Sequence, residues 1–261
     1  MIYIAFILFT LLVLAFFFYQ WQYFMVFSPT LHRETPLCTK CQLLGMQTDD
    51  DKELEGVLYE PQNARHTILV FLGRSHDAVG LINKLSKTYT KSRIISFNYR
   101  SYGKSEGRAE ERELLSDGLK IASLVEKNYG SFYILGFSLG SNIAAYVASQ
   151  HEVKALFLIG AFDSIASLAK SKFVEKSFFP DIDLSKVFRY KFRTVDYVQE
   201  VRAPSYLFVS KDDEVTYIKN ARNLQDKVKN LAYYKEFDGL SHQELLWSEV
   251  VTSKINEVIN V

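Results

Sequence analysis

The chain has 261 residues, 48% of them hydrophobic and 23% charged, with a formal net charge of +1. Once an unusual N-terminal segment is set aside, that composition suits one globular domain with a full core. A charge this close to zero gives no electrostatic footing for nucleic acid, and the sequence shows no internal repeats and no low-complexity tract.

The first segment has no charged side chain from Met1 to Leu31. Ile2 to Tyr19 is apolar apart from Thr10, long enough to cross a bilayer as a helix whose backbone bonds are all internal. Tyr19, Trp21 and Tyr23 suit the membrane–water interface. The start lacks Lys and Arg, and "FFFYQWQYF" has no small-residue cleavage site, so residues 1–27 read as an uncleaved single-pass anchor. Arg33, Lys40 and Lys52 follow it, and the positive-inside bias then places the remaining chain in the cytoplasm. Residues 28–44, with Pro29 and Pro36, read as a linker. It holds the only two cysteines, Cys38 and Cys41 in "CTKC". A redox pair or half of a zinc site is conceivable, but zinc needs two more ligands and no second pair exists. The sequence favours a pair with no special role, and a disulfide only if the domain is exported.

Residues 45–261 read as one α/β domain. "LLGMQT" and "LEGVLYE" are an antiparallel opening pair. Short apolar runs at 66–73, 92–99, 131–137, 153–160 and 204–210 are buried strands, and 231–237 is the last strand. Helices are expected at 78–89, 109–128, from the third central strand through Ser149, and at 243–259. Strands separated by helices give a mostly parallel, doubly wound sheet with ligands beyond the strands' carboxyl ends. An insertion at 163–203 breaks the rhythm. Its Phe173, Phe178, Phe179, Phe188, Tyr190, Phe192 and Tyr197 make either a small aromatic lid or a packed helix pair.

Gly136-Phe137-Ser138-Leu139-Gly140 is a G-x-S-x-G pattern between a predicted strand and a predicted helix, the setting of a nucleophile elbow. The bland alternative is a glycine-rich strand–helix junction. A serine nucleophile needs a base, and the base needs a group that fixes its tautomer. Of five histidines, His242 in "FDGLSHQELL" lies between the last strand and the last helix and follows a suitable acid. "KDDEV" offers Asp212, Asp213 and Glu214 after the strand at 204–210, and Asp163 follows the strand before it.

"FNYRSYGKSEG" (97–107), "GFSLGS" (136–141), "PSYLFVSKDDEV" (204–215) and "GLSH" (239–242) together resemble the α/β-hydrolase superfamily. The chain is most similar to its membrane-anchored serine aminopeptidase-like, BEM46-type group, over residues 45–260. The resemblance implies an α/β-hydrolase fold with a short lid. It implies Asp213 as the acid, placed three residues after a glycine-like position that is Ser210 here, with Asp212 and Asp163 as rivals. The implied catalytic set is Ser138, Asp213 and His242. Backbone N–H groups of Arg74 and Leu139 form the oxyanion hole, although Leu72-Gly73-Arg74 stands where the group carries His-Gly. The expected activity is ester or thioester hydrolysis through an acyl-enzyme, without cofactor or metal, on a small-molecule, lipid or acylated-protein substrate. The alternative is a catalytically inactive binding or scaffold protein of the same fold.

Overall fold

The computed structural model describes residues 2–31, 36–174 and 183–260. Arg33, used for the orientation of the apolar segment, lies outside the described residues, as do Phe178 and Phe179. Helix α1 (Ile2–Val26) has a mean hydropathy of 2.6 over its most apolar stretch, which the rest of the protein leaves uncovered. At 1.5 Å per residue it is about 37 Å long, against a hydrocarbon core of about 30 Å. By length and composition it is a candidate membrane span.

Eight strands form one sheet: β1 (Cys41–Gln47), β2 (Glu53–Tyr59), β3 (His66–Phe71), β4 (Ser92–Phe97), β5 (Tyr133–Phe137), β6 (Leu156–Ile159), β7 (Ser205–Ser210) and β8 (Leu231–Phe237). Their order is β1-β2-β4-β3-β5-β6-β7-β8. β2 runs antiparallel to both its neighbours, and every pair from β4 to β8 is parallel. The central strands are covered on both faces, so their sequences are continuous apolar runs rather than alternating ones. α2 (Ala78–Thr88), α8 (His242–Trp247) and α9 (Glu249–Ile259) cover one face, through Val79, Ile82, Leu85, Val251 and Ile255. α3 (Glu111–Tyr129) and α4 (Leu139–Gln150) cover the other, through Ile121, Val125, Ile143 and Val147.

Three details depart from the expected elements. β1 starts at Cys41, inside the expected linker, because the ladder with β2 continues to the Cys41–Tyr59 pair. Helix α7 (Ile218–Gln225) lies between β7 and β8 where the sequence suggested none; Ala221 and Leu224 are its only fully buried apolar residues, too few to show a periodicity. The single closing helix is two, because Ser248 at φ −57, ψ 130 breaks it after Trp247.

The 163–203 insertion divides. α5 (Ile165–Ala169) continues into a π-helical turn at Lys170–Val174, and α6 (Thr194–Tyr197) closes the segment. Phe188, Tyr190 and Phe192 are core residues; Tyr190 and Phe192 meet Phe27 just past the end of α1, at ring distances of 5.0 and 6.2 Å, and Phe188 meets Phe18 and Trp21 within α1 at 6.4 Å. Phe173 instead is 46% exposed and sits against Trp21. Three of the five described aromatics of the insertion, Phe188, Tyr190 and Phe192, therefore seat the apolar helix in the domain, and the α5 side borders the cleft through Phe173. Tyr23, Val26 and Phe27 belong to the same core, so the last turn of α1 is folded into the domain rather than tethered to it.

Candidate active site

Ser138 occupies the turn between β5 and α4 at φ 54, ψ −120, a conformation an L-residue adopts at a cost of about 1–3 kcal/mol. Its N–H donates to Ile159 O at 2.9 Å, which ties the turn to β6. The flanking glycines are required by space. A Cβ on Gly136 would lie 2.6 Å from the Cβ of Ala144, and one on Gly140 would lie 2.1 Å from the carbonyl oxygen of Phe71. The close approach of α4 to β3 and β5 thus produces the sharp turn that lifts Ser138 at the carboxyl edge of the sheet.

Two adjacent loops bring an acid and a base together. The loop after β7 carries Asp213, and the loop after β8 carries His242. Asp212 accepts from Gly239 N–H at 2.6 Å, Ser210 Oγ donates to Leu240 O at 2.6 Å, and Glu214 accepts from His242 N–H at 3.1 Å. With the loops held this way, His242 Nδ1 and Asp213 Oδ2 lie 2.7 Å apart, both buried. Asp213 also accepts from Val215 N–H, from Thr216 N–H and, at 2.6 Å, from the Thr216 hydroxyl. Burial alone would raise its carboxyl; the bond and charge of His242 and the Thr216 donors outweigh it and hold the group below the usual carboxylate range. The rivals are engaged elsewhere. Asp163 accepts from Asn220 and Asn223 of α7, and Asp212 holds Gly239. Ser138 Oγ and His242 are not hydrogen bonded to each other among the described residues; catalytic bonds in ligand-free proteins are often long until substrate arrives.

Opposite lies the loop after β3, Leu72-Gly73-Arg74. Arg74 and Leu139 both line the cleft beside Ser138, and Leu139, the first residue of α4, presents a helix-start N–H that no earlier turn can accept. Tyr99 donates to Leu72 O at 2.6 Å, and Tyr102 donates to Arg74 O at 2.6 Å. This gives "YRSYG" a physical meaning: its two tyrosines carry the carbonyls of the loop. Its Arg100 is buried between Asp117 of α3, at 2.8 Å, and Asp50, at 2.7 Å, and fixes the segment in place. Sequence reasoning also passed over His76. Its Nε2 lies 3.1 Å from Gln243 Oε1, and its ring and that of His242 flank Phe137 at 5.5 and 4.7 Å. Burial pushes His76 below the ordinary imidazole range, with the Gln243 bond working against it.

The cleft holds about 60 Å³ of free space and is mainly apolar. Met25 and Val26 of α1 form one wall, and Phe162, Ile165, Ala169 and Phe173 form the other. Cys38 and Cys41 are remote from it. They are joined by a disulfide, the pairing the sequence allowed for an exported domain, and Cys38 N–H donates to Asn83 of α2 at 2.9 Å.

Residues 71–194 match the family model described as alpha/beta hydrolase fold. The esterase Pf2001 of Pyrococcus furiosus superposes with a TM-score of 0.70 at 16% identity, covering 90% of this chain and 98% of its own. Est1E of Butyrivibrio proteoclasticus, solved with ferulic acid, superposes with a TM-score of 0.66 at 18% identity, covering 84% of this chain and 100% of its own. Among curated proteins, the lysophosphatidylserine lipase ABHD12 of Danio rerio is 26% identical over 157 residues, which are 51% of this chain and 38% of that protein. The match thus spans well under half of that relative's length. The structural likeness establishes the fold: a mostly parallel α/β-hydrolase sheet with an apolar helix in front of it.

Proposed function

We propose that this chain, with its α/β-hydrolase fold, is a membrane-anchored serine hydrolase that cleaves an ester or thioester through an acyl-enzyme. One observation carries the reading: a buried Asp213–His242 pair, 2.7 Å apart, stands at the sheet edge that also bears a serine at positive φ facing an apolar cleft. In this mechanism Ser138 Oγ attacks the substrate carbonyl carbon as His242 Nε2 takes its proton. Asp213 accepts from Nδ1–H, which fixes the tautomer and stabilises the imidazolium. The N–H groups of Arg74 and Leu139 receive the charge that develops on the carbonyl oxygen. When the intermediate collapses, the C–O or C–S bond breaks and His242 returns its proton to the leaving group. Water then adds to the acyl carbon, giving a proton to His242, which passes it back to Ser138 as the acid departs. No step calls on a cofactor or a metal.

The apolar walls favour an acyl chain as the group bound in the cleft. Because one wall is the end of α1, the reading favours a substrate at the bilayer surface, a lipid ester first, in line with the lipase and esterase names of its relatives. An acylated protein or a small soluble ester fits the same chemistry. The basic residues after α1 favour a cytoplasmic domain. The disulfide favours the opposite orientation, because such bonds persist in oxidising compartments.

Membranes carrying the full-length chain, treated with a fluorophosphonate serine probe alongside Ser138→Ala and His242→Ala, test the proposal. Labelling of the parent and of neither variant is expected. A folded parent that takes no label replaces the enzyme with an inactive binding protein of the same fold.

A further inference from the structure

The most unusual arrangement outside the acid–base pair is the way the apolar helix meets the loop opposite Ser138. A helix ends with carbonyls that no later turn can satisfy. At the end of α1 two of them are met by one side chain: Arg74 donates to Met25 O at 2.7 Å and to Phe24 O at 3.2 Å. A cation is the favourable partner there, because the helix dipole leaves partial negative charge at that end. The same residue is held again through its backbone. Arg74 O accepts from Ser28 N–H at 3.2 Å and from the Tyr102 hydroxyl, whose oxygen also accepts from Ser28 at 2.9 Å. Just beyond, Gly103 N–H donates to Thr30 O at 2.9 Å. Arg74 is therefore fixed at its side chain by the last turn of α1, and at its carbonyl by Ser28, just past that helix, and by Tyr102. Its N–H carries no internal bond among the described residues. The Gly73–Arg74 peptide that bears this N–H is held on one side by His76 N–H, which donates to Gly73 O at 3.3 Å, and on the other by the contacts of Arg74 with α1 and Tyr102, so its aim is set jointly by the loop and by the end of the helix.

We infer that α1 is a structural part of the catalytic centre rather than a tether: Arg74 is a positioning residue that couples the seat of the membrane helix to the oxyanion hole, with Tyr102 as the second link. This rests on the serine hydrolase reading. It deepens it by making turnover depend on how α1 is seated, even for a substrate that never touches a membrane. Losing an oxyanion donor outright costs roughly two to three orders of magnitude in rate. Misdirecting one costs less.

The test uses full-length protein in lipid nanodiscs and p-nitrophenyl acetate, a soluble ester whose access does not depend on the bilayer. Arg74→Ala is expected to lower kcat by about 10- to 100-fold while KM stays within about twofold, because the donor acts on the transition state. Added guanidinium is expected to restore part of that loss, which a general packing defect would not allow. Tyr102→Phe keeps the packing, removes only the hydroxyl, and is expected to lower kcat by about tenfold with KM again unchanged. Folded variants that keep kcat within twofold of the parent overturn the inference. If Arg74→Ala does not fold, Tyr102→Phe decides alone. A parent with neither turnover nor fluorophosphonate labelling removes the hydrolase reading and the inference with it. An active parent beside unchanged variants removes only the inference.

Discussion

The two sides of the cleft are built by different means. On the acid–base side, the bonds that place Asp213 and His242 join residues 27 to 30 positions apart, on loops that follow the neighbouring strands β7 and β8. On the oxyanion side, Arg74 is held by residues 49, 50 and 28 positions away, drawn from the apolar helix and from the turn after β4. The first side is what strand order produces without help, since consecutive parallel strands end at the same edge. The second needs three separate pieces of chain to converge, one of them the end of an apolar helix that is a candidate membrane span. In the proposed mechanism, a chemistry that requires both sides is thereby linked to the seat of that helix.

The largest effects should fall on the acid–base side. Asp213→Asn is expected to lower kcat by about 10⁴-fold, because the imidazole loses both its tautomer and its counter-charge. Asp163→Asn and Asp212→Asn are expected to stay within about tenfold, since neither carboxylate reaches His242 and each serves a loop or α7 instead. Steady-state hydrolysis of a short ester by the three variants compares them directly. A loss for Asp163→Asn as large as for Asp213→Asn would mean that the acid comes from the strand before.

Glycine substitutions separate the two sides by packing. Gly140→Ala drives a Cβ into the backbone at the end of β3, and is expected to destabilise the protein by about 3 kcal/mol or more. Gly239→Ala, in the loop that carries His242, meets nothing within 4 Å and keeps only the strain of its φ of 72, for a cost of about 1 kcal/mol. Thermal unfolding of both variants in detergent gives the comparison, and equal costs would show that the turn under Ser138 yields more easily than the contacts at Gly140 allow.

These contrasts explain what was legible in the sequence. Ser138, Asp213 and His242 could be named because a motif and two loop positions after strands are one-dimensional signals, and the structure gathers their positions at one sheet edge. Arg74 could be named for its N–H alone. Its side chain bonds to main-chain carbonyls, which leave no trace in residue identity. Tyr99 and Tyr102 were visible as part of a motif, but their purpose needs the β4–β3–β5 order. The aromatic insertion was read as lid or packing; Phe188, Tyr190 and Phe192 pack in the core and Phe173 lines the cleft, a division that depended on where Phe27 ends up, which composition does not encode. Helix α7 escaped because so few of its residues are buried.

A smaller effect concerns pH. The Asp213 carboxyl is held below the usual range, so its contribution to stability is present above the unfolded value of about 3.9 and is lost only as pH falls through the lower folded value. The parent is therefore expected to gain over Asp213→Asn at neutral pH, with the difference in thermal midpoint shrinking only in strong acid. A difference that already vanishes near pH 5 would mean that the buried pair does not hold the carboxyl down.

The smallest effect on turnover belongs to the disulfide, and it bears on which leaflet the comparison refers to. Cys38 and Cys41 touch neither side of the cleft, and a bridge three residues apart closes a loop worth about 2 kcal/mol or less. Cys38→Ser is expected to leave hydrolysis unchanged and to lower the thermal midpoint slightly. Its informative counterpart is maleimide labelling of the parent, isolated without reductant. Thiols that react only after reduction place the domain in an oxidising compartment and reverse the orientation favoured by Lys40 and Lys52. Thiols that react at once support the cytoplasmic face. In either case Met25 and Val26 keep the mouth of the cleft at the end of the apolar helix, so the outcome selects the leaflet that supplies substrate and leaves the link between α1 and the oxyanion side intact.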